Sequence, residues 1–164
     1  METITTSLQP LIEAFKLQTR LFRNVTKDIT DEHAKSNFGG SPNNIAWITG
    51  HLVSTRYMLG TVLGITDREP FPELFERGKG IQEDAQYPSM EDLTASWDSF
   101  AEKIISRLEN MSEDDLQAEA PVQTPISENT LRGFITFLCH HEAYHIGQLS
   151  LARRHFGYEP MSYA

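Results

Sequence analysis

At 164 residues and 18.6 kDa, the chain has the size of one domain, residues 1–164, and can bury a core without disulfide help. Its 14 Lys and Arg against 23 Asp and Glu leave a net charge of −9, a field that repels nucleic acid and anionic lipid and so argues against both as partners. With 39% hydrophobic and 23% charged residues, the composition is that of an ordered globular protein and not of a disordered one.

The single cysteine, Cys139, excludes an intrachain disulfide framework and any Cys-based zinc module. It fits a reducing compartment, and the cytoplasm is the expected location. Glu2 stands where a secretory signal needs basic residues. No later apolar run approaches the roughly 20 residues needed to cross a bilayer, so neither targeting segment nor membrane span is expected.

The first predicted helix runs from about Thr5 to Ile29, with Leu8, Leu11, Phe15, Phe22, Val25 and Ile29 on one stripe. Pro10 is tolerated there because it falls in the first turn. The second follows Gly39, Gly40 and Ser41, with the serine as cap and Pro42 at the first helical position, and ends near Gly64. The third is announced by Ser89, Glu91 and Asp92, then shows Leu93, Trp97, Phe100, Ile104, Leu108 and Met111 at steps of three and four. The fourth starts near Ser127 or Thr130 and carries Leu131, Phe134, Leu138, His141, His145, Leu149, Ala152 and Phe156, before Gly157 stops it.

Pro70, Pro72, Gly78, Gly80 and Pro88 break any long element between Ile65 and Pro88, a segment read as an ordered cover. A short turn capped by Ser112 precedes a second break at Pro121 and Pro125. No sustained strand pattern is present. The predicted fold is all-α, a four-helix bundle with a long loop between its second and third helices, an architecture that builds metal and ligand sites from side chains on facing helices.

Two histidines interrupt the apolar stripe of the last helix. His141 and His145 are four apart, so they differ by about 40° around the axis and both imidazoles can reach one ion. An unpartnered imidazole on a buried seam would cost roughly 1 to 3 kcal/mol, and a metal offsets that cost. The second helix presents Asn44, Trp47, His51, Thr55, Met58 and Val62 on one face, making His51 the candidate third ligand. Three imidazoles leave a divalent ion an open position for water or substrate. The competing reading is three core histidines bonded to backbone or carboxylate groups. His33, in a polar loop, His140, about 100° from His141, and His155, near a helix end, are left out of the site.

The string HEAYH matches the H-E-x-x-H pattern of zinc peptidases. The long form of that pattern needs a glycine and a third histidine where this chain has Gln148 and Leu151, and no strand-rich half is present to bind a peptide by strand addition. The longer string HEAYHIGQLSLARRHFG, His141 to Gly157, instead resembles the last-helix signature of the DinB-like family. NNIAWITGHL, Asn43 to Leu52, resembles that family's second-helix segment, with a Trp four residues before the histidine. The family (DinB/YfiT-like) is related in fold to bacillithiol- and mycothiol-dependent transferases. The resemblance covers nearly the whole chain and implies a divalent metal, zinc or nickel, on His51, His141 and His145, use of a low-molecular-weight thiol, and a homodimer.

On this reading the function is a metal-dependent transferase joining such a thiol to a small electrophilic substrate, with the thiolate as nucleophile. Hydrolysis of a small molecule, and a non-catalytic bundle tied by metal for stress response, stand as alternatives. Glu142 is a candidate catalytic base or a group orienting an imidazole. Gln148 is a candidate ligand-binding or imidazole-orienting residue, and Trp47 and Tyr144 are candidate aromatic walls for the cofactor or substrate.

Overall fold

The computed structural model describes residues 7–76 and 78–163. Its helices are α1 (Gln9–Thr26), α2 (Asp31–Lys35), α3 (Ile45–Val62), α4 (Met90–Glu109), α5 (Glu113–Leu116) and α6 (Leu131–His155). The four long ones form the bundle: α1 packs on α4 and α6, and α3 packs on the same two, so the neighbours close into a ring. Among the described residues the only β pairing is an isolated bridge between Glu119 and Thr130. None of the helices is long and apolar enough to cross a membrane.

The stripes read from the sequence are the inward faces. Phe15, Phe22 and Val25 of α1, Leu93, Trp97, Phe100 and Ile104 of α4, and Phe134, Leu138 and Leu149 of α6 are all buried. Each such side chain stabilises the bundle by roughly 1.5–3 kcal/mol of apolar transfer. Within the core the Phe22 and Trp97 rings stack at 3.9 Å, and Tyr57 and Phe100 at 4.0 Å.

Local chemistry sets the helix ends. Ser89 and Ser112 each form a reciprocal capping box, with Asp92 and Asp115 respectively, and Thr130 caps α6 by accepting from the Gly133 N–H. Gly157, at φ 80°, stops the chain after α6 as expected. Pro10 does lie in the first turn of α1.

Three boundaries differ from expectation. α1 ends at Thr26 because Lys27 leaves the helix and Asp28 turns to φ 63°, while the expected start at Thr5 lies outside the described residues. The cap of α3 is Asn44, whose side chain accepts from the Trp47 N–H at 2.8 Å. Ser41 and Pro42 belong to the preceding turn, where the Ser41 hydroxyl bridges Asn43. The short α2, capped by Thr30, holds His33 where a loop was expected; five residues are too few to show periodicity. Its Asp31 accepts from the Met90 N–H and so ties α2 to the start of α4.

Candidate metal centre

α3 and α6 face each other, and their histidines meet. The Nε2 atoms of His51 and His145 each lie 3.1 Å from Nε2 of His141. One nitrogen from each ring falls within a 4.8 Å cluster. These separations follow from seam positions on two packed helices, with the four-residue step of α6 stacking His145 one turn above His141.

The outer nitrogens decide what the inner ones can do. His51 Nδ1 is 2.8 Å from the Phe75 carbonyl oxygen, which only accepts, so Nδ1 carries the proton and Nε2 the lone pair. His145 Nδ1 donates to the Gln148 Oε1 at 2.7 Å, leaving its Nε2 in the same state. Burial holds the His145 imidazole below its ordinary value; the Gln148 bond acts against this and the His51 ring with it. Two lone pairs thus point at one nitrogen of His141, which has at most one proton to satisfy them. A cation resolves that conflict by accepting from all three rings. Tetrahedral zinc with bonds of 2.0–2.1 Å sets its nitrogens about 3.3 Å apart, within a few tenths of an ångström of the two spacings observed. The donor set therefore fits a divalent metal.

The cluster opens into a cavity of about 650 Å³. Trp47, Met58, Phe134, Phe137 and Leu138 supply apolar wall, and the loop after α3 closes one side through Glu69 and Phe75. That loop is the ordered cover expected from its composition: Phe75 is 1% exposed and packs over Gly50, where a Cβ would come within 2.2 Å of its ring. The Glu69 carboxyl is raised above its ordinary value by burial, against a hydrogen bond from the Ser54 hydroxyl and with the nearby Glu76 carboxylate.

The structure places the remaining sequence candidates as follows. Trp47 lines the cavity and stacks on His51 with ring centres 4.9 Å apart. Gln148 sits behind His145 as an orienting group, its own amide donating to the Tyr144 hydroxyl at 3.1 Å. Tyr144 is 57% exposed, meets the edge of His145 at 5.1 Å and is not among the cavity-lining residues. Glu142 is not brought to the cluster. It is buried against Arg56, which donates from Nε at 2.7 Å and from an Nη at 3.0 Å. Both carboxylate oxygens are thereby occupied, so the general-base role considered for Glu142 has no geometric basis here. His140 and His155 are exposed, and His33 stacks on Phe156 at 4.8 Å, away from the cluster.

A family model for the DinB superfamily matches residues 14–149. The chain belongs to the DinB superfamily. A conserved protein from Enterococcus faecalis, known from a crystal structure, is similar to this DinB superfamily member in fold. The TM-score is 0.65 over 92% of this chain and 96% of that one, at 13% identity. No curated protein matches the chain.

Sequence reasoning missed Arg56, Phe75 and Glu69. Arg56 did leave a signal, as the one Lys, Arg, Asp or Glu in the α3 stretch IAWITGHLVSTRYMLGTV, a position that demands a buried partner. Phe75 acts through its backbone carbonyl, which no side-chain pattern encodes.

Proposed function

We propose that this protein is a divalent-metal-dependent transferase that joins a low-molecular-weight thiol to a small electrophilic molecule. The observation that carries this reading is the pair of Nε2 lone pairs, fixed by Phe75 and Gln148, converging on His141 at the wall of an open cavity. His51, His141 and His145 would hold the ion, with zinc and nickel both suited to imidazole. The bound metal supplies a Lewis acid that favours the anion of a thiol or of water at neutral pH.

The chain's own residues do the rest. The Phe75 carbonyl and Gln148 fix the two ring tautomers, so His51 and His145 present lone pairs without rearranging. Trp47, stacked on His51, restricts rotation of that ring. Phe134, Phe137 and Leu138 line the space where an apolar substrate body would displace water. An open cavity beside the cluster supports a catalytic over a purely structural role, and the family resemblance favours a thiol over water as nucleophile.

The test is metal content by mass spectrometry on protein purified without a metal-affinity step, with His51→Ala alongside. About one ion per chain in the wild type, lost in the variant, is the expected result. The metal-loaded protein should then bind a small thiol. A wild type that carries no metal and takes up none when zinc or nickel is added overturns the reading.

A further inference from the structure

Two carboxylates of the loop after α3 line the three-histidine cavity, and they are not equivalent. Glu76 is exposed and paired with Lys79 at 2.8 Å. Glu69 is half-buried; its one partner among the described residues is the neutral hydroxyl of Ser54, and no cation pairs with it there. A carboxylate drawn partly out of water without a countercharge is an uncompensated cost to the fold, and the Glu76 charge nearby adds to it.

The cavity that Glu69 lines has a mostly apolar wall, to which Met58, Phe134, Phe137 and Leu138 contribute hydrocarbon and ring. Among the described residues, a carboxylate without a cation therefore borders a mostly apolar space, a feature of a site completed by its ligand.

We propose that the cavity takes a small molecule carrying a cationic nitrogen on an apolar body, with the nitrogen set against the Glu69 carboxylate and the reactive end toward His51, His141 and His145. This inference rests on the transferase reading only for which end of the ligand reacts. The charge preference itself comes from Glu69.

The experiment compares matched probes by titration calorimetry on the zinc-loaded full chain. Cysteamine, 2-mercaptoethanol and 3-mercaptopropionate share a thiol and differ in a cationic, neutral or anionic end; butylammonium, butanol and butyrate repeat the series without sulfur. Cysteamine should bind about tenfold more tightly than 2-mercaptoethanol, and 3-mercaptopropionate most weakly, as expected for a hydrogen bond between charged groups. Glu69→Gln should abolish the cysteamine advantage and leave 2-mercaptoethanol unchanged, whereas Glu76→Gln, already paired with Lys79, should change the ratio less. Melting curves check that both variants fold.

Equal affinity across the charge series, or a cation preference that survives in Glu69→Gln, overturns the inference while leaving the transferase reading intact. If no thiol binds but butylammonium is preferred over butyrate in a Glu69-dependent way, the inference stands and the thiol reading falls. Failure of all six probes to bind overturns the inference.

Discussion

Arg56 of α3 and Glu142 of α6 form a two-pronged ion pair in the bundle core, with side-chain exposures of 1% and 2%. Arg56 also donates to the Thr19 hydroxyl and the Phe15 carbonyl of α1, and its guanidinium carbon lies 3.6 Å from the centre of the Trp97 ring on α4. One side chain therefore touches all four long helices. Because Glu142 directly follows His141, the pair also fixes the rotation of α6 that turns His141 and His145 toward His51.

Removing one member of that pair strands the other. Glu142→Gln should destabilise the protein by about 3 kcal/mol, the lower end for breaking a buried pair, measured by urea denaturation. The double variant Arg56→Met with Glu142→Leu should lose less than the sum of the two single variants, because no lone charge remains. A Glu142→Gln protein as stable as wild type would reopen a catalytic role for that carboxylate.

Gln148 acts on the candidate metal through His145. Gln148→Leu removes the acceptor at Nδ1 and should weaken zinc binding by about 10- to 100-fold. Its urea midpoint in the metal-free state should stay near that of wild type, since the side chain is only part-buried. Competition with a chromogenic chelator reads the affinity directly.

Gly50 is where the loop after α3 comes closest to the helix. Gly50→Ala would drive a Cβ to within 2.2 Å of the Phe75 ring, moving the residue whose carbonyl holds His51 Nδ1. The expected cost is about 1–3 kcal/mol from overpacking, together with weaker zinc binding. Unchanged affinity would show that Phe75 does not orient His51.

Glu69 gives a pH signature in metal-free protein. Burial raises its folded pKa above the ordinary 4.5, so the fold favours the protonated form. The penalty is present in full above the folded pKa and absent below 4.5. Glu69→Gln should therefore melt higher than wild type at pH 7, and the difference should close as the pH falls toward 4. A gap that persists at low pH would assign the effect to packing instead of charge.

Cys139 should be inert in the native state. It is 6% exposed, and burial raises its thiol pKa, only partly opposed by the bond from Gln18. Raising the pKa lowers the thiolate fraction at pH 7.5. Native protein should react with a disulfide reagent only as it opens, and release the full stoichiometric signal in denaturant. Rapid native reaction would contradict the packing around α6.

The sequence by itself determined what depends on short separations. Periodicity revealed α1, α4 and α6 and their buried faces, because a helix repeats every few residues and leaves that repeat in the chain, whereas α3, buried on nearly every side, was marked by the glycines that flank it. Serine and threonine caps marked the starts of α4, α5 and α6 through bonds spanning three residues. The four-residue step from His141 to His145 announced a shared target for the same reason. Tertiary structure alone decided what those residues meet. Phe75 lies 24 positions from His51 and orients it through a backbone oxygen, an atom that every residue carries. Arg56 and Glu142 lie 86 apart, so only the packing of α3 on α6 could show that the glutamate beside the histidines is held by the core. Glu69 is one acidic residue among 23 Asp and Glu, and it is set apart only because the loop folds it against the cavity wall, where water no longer fully solvates its charge.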